Sequence, residues 1–369
     1  MRGVNWLGDA IMTTPALLRL REKFSSAHIA LLTRDSLADI WTNHPAINQV
    51  ITFNRGESLF SLGRELKGHS FDTAILFPNS TRAALEAVWA KIPVRVGYRG
   101  GARGWMLTHS IAQRENIYQM RKRTTPEIKS LNAPGKSSRR TEIPPASHHI
   151  YHYLDLVSGI GASAEPMRPW LRLSENEVAA VANEFGLPQR EESVLVGLNA
   201  GAEYGPAKRW PVARFIETAI ALSRRIKCQF VIFGGAADFT IANEIVEGLT
   251  RNANPDGTAA SITFYNLAGK TTLRQLCGAL KICDVVISND TGPAHVAAAV
   301  GTPVVIPFGS TSPELTGPGL PGDEKHVFLK STVPCSPCFV KYCPIDHRCM
   351  TEITVDQVAN AVCRIANEA

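Results

Sequence analysis

The sequence has no run of about 18 consecutive apolar residues, so a membrane-spanning helix is not expected. Its N-terminus lacks the basic-then-apolar layout of a secretory signal. Cytoplasmic placement follows, and with it eight cysteines that are reduced or metal-bound rather than paired. Aromatic residues are scarce at 7% and do not interleave with basic ones, so nucleic acid is not an expected partner. Net charge is also small: 39 Lys and Arg against 33 Asp and Glu leave +6. That excess suits an anionic small molecule or a lipid headgroup surface. Several catalytic signatures are missing. There is no Walker A sequence, no G-x-G-x-x-G after a strand, no G-x-S-x-G elbow and no D-x-D metal pair. A magnesium-centred mechanism therefore has no evident ligands, and fixed positive groups must balance any anionic leaving group.

What is present is a regular alternation of strands and helices. The chain's 369 residues, 44% hydrophobic and 20% charged, suffice for about two domains of roughly 150 residues. "MRGVNWLGDAIMTTPALLRLREKF" runs from a very short strand through a Gly-Asp turn into a helix with Pro15 in its first turn. "HIALLT" and "FDTAILFP" read as further strands. A buried parallel strand usually has about five residues, and "MRGV" falls short, which points to a clipped strand or a start upstream. The second half repeats the design with strands "SVLVGLNAG", "CQFVIFGG", "DVVISND" and "PVVIPFG" separated by helical patterns. The expected fold class is α/β, with two Rossmann-like doubly wound domains.

The expected domains are 1–170 and 174–352, followed by a C-terminal helix over 353–369. The hinge falls near 168–174, where Ser174 and Glu177 are spaced as a capping box and Gly186 is the stop of the following helix. Residues 120–150 stand apart. Seven Lys or Arg face two Glu between 121 and 149, with four prolines and no periodicity. The composition predicts a mobile loop of the N-terminal domain. It is either a solvated insertion or a lid that meets a negatively charged substrate.

In open parallel sheets, ligands sit beyond the C-terminal ends of strands, against helix N-termini. Four turns have that position. In "SNDTGPAH", Gly292 permits close backbone approach and bare amides attract phosphate. Asp290 repels phosphate but suits sugar hydroxyls. The plainer alternative is a helix start capped by Asp290 or Thr291. In "NAGAEYGPAKRWP", Lys208 and Arg209 can set a cation near a pyrophosphate, with Trp210 and Pro211 bracing a base. A surface loop with incidental charge is the alternative. In "FGGAADFTIANE", Gly234 and Gly235 suit a nucleoside pocket, although a lone Gly-Gly is weak evidence. In "NWLGDAIMTTPA", Asp9 opens the first helix. Such an Asp is usually only a dipole partner, but in a cleft it can take a proton from a hydroxyl. Finally, Cys335-x2-Cys338 with Cys343, Cys349 and nearby His347 has enough sulfur to hold a structural zinc. Its second half lacks the C-x2-C spacing, so free thiols packing a loop, or a redox pair, remain the alternatives.

Together, "RGVNWLGDAIMTTPAL", "NAGAEYGPAKRWP", "ISNDTGPAHVAAAVGTPVVIPFGSTSPELTGP" and "CSPCFVKYCPIDHRCM" resemble the bacterial lipopolysaccharide heptosyltransferases, glycosyltransferase family 9. They span nearly the whole chain in the family's order. The resemblance implies a GT-B architecture, with an acceptor domain and a donor domain facing a cleft. It implies inverting transfer of heptose from ADP-L-glycero-β-D-manno-heptose to the first heptose of the inner core, carried on Kdo and lipid A. Peripheral contact with the cytoplasmic leaflet of the inner membrane is then expected, and no cofactor is required. By motif position, Asp9 is the implied catalytic base, and Lys208 contacts donor phosphate. Asp290 contacts the donor, Thr291 and Gly292 offer amides to the diphosphate, and His295 follows one turn later. Gly234 and Gly235 join the donor site. Asn5, Trp6, Arg121, Lys122 and Arg123 are the acceptor-side candidates. The clipped first strand and the basic insertion depart from the pattern. Two other readings stay open: another GT-B nucleotide-sugar enzyme, or an inactive nucleotide-sugar-binding protein.

Overall fold

The computed structural model describes residues 1–133, 142–188, 193–252 and 262–368. The chain divides into two compact units. One comprises Met1–Ile117 with His148–Arg172, the other Tyr118–Ser147 with Leu173–Ala369.

The first unit contains β1 (Ala30–Arg34), β2 (Gln49–Phe53), β3 (Thr73–Ile75), β4 (Val94–Tyr98) and β5 (His109–Ile111). β1 pairs in parallel with β2, and β3, β4 and β5 form a parallel three-stranded sheet. The first residues join the two sheets. Arg2 bridges Leu32 on one side and Leu76 on the other, both parallel. Its N–H donates to the Ile75 carbonyl, and the Gly3 N–H to the Leu32 carbonyl, each at 2.8 Å. The short opening segment is thus a rudimentary central strand. Beneath it, Arg2 is buried and its Nε lies 2.7 Å from the buried Glu86 carboxylate. After this segment comes the helix Leu7–Met12, and then Thr14–Lys23, which carries Pro15 in its first turn as the sequence predicts.

The second unit contains β6 (Val194–Asn199), β7 (Cys228–Phe233), β8 (Phe264–Asn266), β9 (Val285–Ser288), β10 (Val304–Phe308) and β11 (Val327–Lys330). These form one parallel sheet in the order β11-β10-β9-β6-β7-β8. β9 and β10 are buried along their whole length, which explains their unbroken apolar character. Chain order reverses between β6 and β9, so their C-terminal ends flank a topological switch point. The helix Glu175–Phe185 has the expected capping box at Ser174 and Glu177, and a left-handed Gly186 at φ 61°. The last helix, Val355–Glu368, buries Val358, Val362 and Ile365 and packs against the helix Val212–Ser223.

The segment expected to be a mobile loop is ordered differently. Thr125–Leu131 is a helix with its own capping box, Thr124 to Glu127, and Pro126 in its first turn. Ile128 on that helix joins the core of the second unit. The segment 118–147 therefore belongs with the second unit rather than the first, because its apolar face is buried there. Lys136, Arg139 and Arg140 lie outside the described residues. Among the described residues, no helix is long and apolar enough to cross a membrane.

Candidate active site

The second unit presents its chemistry at the switch point. Asp290 lies two residues after the end of β9 and is buried. The Lys208 ammonium donates to Asp290 Oδ2 at 2.7 Å and to its carbonyl at 3.3 Å. Thr311 Oγ1 donates to the same carboxylate oxygen at 2.7 Å. Burial alone would raise the Asp290 carboxyl. The Lys208 and His295 charges, with the two hydrogen bonds, outweigh it and hold the group below the ordinary carboxylate range.

With its carboxylate engaged in this way, Asp290 does not cap the next helix. Thr291 does not cap it either: its Oγ1 accepts from Asn199 Nδ2 at 3.0 Å. The helix Gly292–Ala299 thus begins without a side-chain cap, and its first amides are left for a ligand. His295 is buried one turn along. The loop after β6 is held from below. Asn289 Oδ1 accepts from the Trp210 N–H at 2.8 Å, and Asn289 Nδ2 donates to the Ala200 carbonyl at 2.7 Å.

One donor-side expectation needs correction. Trp210 is fully buried, and its Nε1 donates to the Ile353 carbonyl at 3.0 Å. It is a core residue and cannot brace a base. The Gly235 N–H is already taken, donating to Asp238 Oδ2 at 3.1 Å. A Cβ at Gly201 would stand 2.5 Å from that Asp238 carboxylate. The glycines here let two loops approach each other closely.

The cysteine-rich segment supports this site. Tyr204 Oη donates to the Phe339 carbonyl at 2.9 Å, and the Ala207 N–H to the Lys341 carbonyl at 3.1 Å. Both contacts fix the loop that carries Lys208. The four sulfurs lie close enough to influence one another. Burial first, and then Cys338, Cys335 and Cys343, push the Cys349 thiol up to about 12. All four are free thiols. Among the described residues, no group of three or more His, Cys, Asp or Glu is placed to hold a metal ion, so the four sulfurs do not form the tetrahedral set their spacing allows. Free thiols packing a loop fit what is seen.

The basic triplet is likewise internal to the second unit. Arg121 makes two bonds to Glu127, at 2.8 and 3.1 Å. Arg123 gives its N–H to the Cys338 carbonyl at 2.9 Å and its Nε to the Pro337 carbonyl at 3.0 Å. The Lys122 ammonium stands 6.0 Å from the centre of the Tyr204 ring, which also faces Lys208 at 5.3 Å.

In the first unit, Asp9 sits in the first turn of Leu7–Met12. It faces the helix His149–Ser158. His149 Nδ1 is 3.8 Å from Asp9 Oδ1, and the Asp9 carboxylate acts on the Tyr153 phenol as a nearby charge. Burial first, and then Asp9, hold the Tyr153 phenol well above its ordinary range. His152 is pushed down to about 4, by burial first and then by His149, Arg103 and Arg114, with Asp9 opposing. Trp6 is half exposed at the N-cap of Asp9's helix. Asn5 is exposed, and its Oδ1 lies 3.4 Å from both Arg2 terminal nitrogens. Tyr153, His149, Thr311, Asn199 and Tyr204 were absent from the sequence reading of the site. The i, i+4 spacing of His149 and Tyr153 is a signal only once Asp9 is known to face that helix.

Two parallel α/β units, one with a cation and carboxylate beside an uncapped helix at its switch point, define a GT-B glycosyltransferase. The chain matches the family model of glycosyltransferase family 9 (heptosyltransferase) over residues 59–125 and 117–348, and it belongs to that family. It is 30% identical over 327 residues to lipopolysaccharide heptosyltransferase 2 of Escherichia coli (strain K12), covering 86% of this chain and 84% of that protein. The solved E. coli ADP-heptose LPS heptosyltransferase II superposes with a TM-score of 0.74 at 27% identity, covering 100% of this chain and 98% of that one. A family 9 glycosyltransferase from Veillonella parvula shares the fold, with a TM-score of 0.75 at 21% identity over 100% and 96% of the two chains.

Proposed function

We propose that this chain moves heptose from ADP-L-glycero-β-D-manno-heptose onto the first heptose of the lipopolysaccharide inner core, as a heptosyltransferase II. The observation that carries the reading is the Lys208–Asp290 pair beside the uncapped helix Gly292–Ala299. Departure of ADP develops negative charge on the diphosphate. An ammonium and bare amides stabilise such charge without a metal. Thr291 and Gly292 supply amides, His295 backs the carboxylate, and Asp290 keeps Lys208 in place.

The first unit supplies the base function through Asp9. The acceptor hydroxyl loses its proton as its oxygen attacks the anomeric carbon, and the carbon passes through an oxocarbenium-like state with inversion. The acceptor is lipid-borne, so the working enzyme contacts the cytoplasmic leaflet of the inner membrane peripherally. The net charge of +6 suits an anionic surface.

The test is ADP release from ADP-heptose in the presence of a heptose-bearing core acceptor, with a chelator present. Turnover by the wild type, lost in Asp9→Asn while calorimetric donor binding persists, is the expected result. Donor binding without turnover by the wild type would make the chain a binding protein. Turnover restricted to another nucleotide sugar would change the donor.

A further inference from the structure

We propose that the acceptor proton is removed by His149, with Asp9 holding the far side of the imidazole, so that the base is a carboxylate–histidine pair. This rests on the heptosyltransferase reading and deepens it.

Three observations carry the inference. The first is the direction of the ring. His149 Nδ1 is buried and makes no hydrogen bond, yet it lies 3.8 Å from Asp9 Oδ1. The His149 side chain as a whole is 33% exposed, so the opposite part of the ring carries the exposure. Nδ1 is turned toward the carboxylate and Nε2 is left for a substrate. Hydrogen bonds between catalytic groups are often long without substrate and tighten when it binds.

The second observation is the setting of Asp9. Tyr153 lies one helical turn after His149, on the same face, and the Asp9 charge acts on its phenol. A carboxylate set beside an imidazole nitrogen is a good partner for the imidazolium, the division of labour seen in hydrolase triads. The third is the environment of the ring. Asp9, Tyr153 and His152 are ionisable groups beside it, with ring centres 6.0 Å from His149 to His152 and 6.4 Å from His149 to Tyr153, and Arg103 and Arg114 lie near His152. His152 is neutral near pH 7 and Tyr153 keeps its proton. Asp9 is then the charge that stabilises a protonated His149.

The step balances. The acceptor O–H bond breaks, its proton goes to His149 Nε2, and the oxygen lone pair forms the bond to the anomeric carbon. The bond from that carbon to the phosphate oxygen breaks, and its electron pair leaves with ADP.

The experiment uses the full-length chain with ADP-heptose and a heptose-bearing acceptor, over pH 5–9. For His149→Ala, kcat is expected to fall by roughly 100-fold or more, with ADP-heptose KM unchanged. The wild-type kcat should show an acid limb that vanishes in the variant. Added imidazole should restore part of the lost kcat, which a purely structural loss would not allow. If His149→Ala is unstable, His149→Gln carries the same expectation of lost kcat and lost acid limb. Turnover in His149→Ala within about threefold of wild type, with the acid limb in place, sinks the inference and leaves the heptosyltransferase reading standing. Asp9→Asn with full turnover overturns both the pair and the assignment of Asp9 as base. A wild type without heptose transfer overturns the reading itself.

Discussion

The Lys208 ammonium and the Asp290 carboxylate stand 2.7 Å apart, with side-chain exposures of 17% and 5%. They lie 82 residues apart in sequence. Removing one member of such a pair leaves the other charged and nearly dry, which typically costs about 3–5 kcal/mol. Lys208→Met is therefore expected to lower unfolding stability by about 3 kcal/mol in urea melts. It should also weaken ADP binding at least tenfold in calorimetry, because the proposed function sets the same ammonium against the diphosphate. A variant that binds ADP as tightly as wild type would remove Lys208 from the donor site.

Thr311 tests whether the carboxylate is held or merely paired. Its hydroxyl is the second donor to Asp290 Oδ2, at 2.7 Å, in a buried setting. A hydrogen bond to a charged group contributes about 1.5–3 kcal/mol. Thr311→Val should cost that much in stability, and Thr311→Ser should recover most of it. Equal melting temperatures for Thr311→Val and wild type would show that Lys208 alone holds the carboxylate.

Much of this arrangement was legible in the sequence, because a parallel sheet announces itself. Buried strands such as β9 and β10 read as continuous apolar runs, and the turns after them must carry any ligand chemistry. Asp9, Lys208, Asp290 and Gly292 were singled out in that way. The misreadings had local causes. Trp210-Pro211 follows two cations and looks exposed, but Asn289 holds its backbone N–H and the Ile353 carbonyl holds its indole in the core. In the basic segment, Thr124 and Glu127 have capping-box spacing, but the surrounding prolines and charges masked it. What buries Ile128 is a tertiary contact that no local pattern reports. The opening strand looked clipped because Arg2 alone bridges both neighbours.

The Tyr204 hydroxyl links the Lys208 loop to the cysteine-rich segment through the Phe339 carbonyl. Its loss should loosen the loop without touching the ammonium directly. Tyr204→Phe is expected to raise the ADP-heptose KM about fivefold, corresponding to roughly 1 kcal/mol, with kcat nearly unchanged. An unchanged KM would mean that the backbone bond from Ala207 to Lys341 suffices.

The thiol cluster gives a metal prediction. The described sulfurs do not form a metal-binding set, and burial keeps Cys349 protonated. Elemental analysis of the purified protein should find no stoichiometric zinc, and chelator dialysis should leave both melting temperature and heptose transfer unchanged. One zinc per chain, lost together with stability on chelation, would restore the structural-zinc interpretation of the four cysteines.

His44 gives a pH prediction. It is buried in the first unit, and its Nδ1 accepts the Ala46 N–H at 3.3 Å. Burial pushes its imidazole down to about 4, from an ordinary value of 6.5. The folded state therefore resists protonation while the unfolded chain accepts it. Between about pH 6.5 and 4 the unfolded state binds the extra proton, so stability falls as pH falls. The contribution is fully present above about pH 6.5 and lost by about pH 4, amounting to roughly 3 kcal/mol. His44→Asn keeps an acceptor for Ala46 and removes the titration. Urea melts across this window should show a shallower acid slope for the variant than for wild type, with the two converging in slope above pH 7. Parallel slopes throughout would place the acid sensitivity of the first unit elsewhere, with His152 the next group to test.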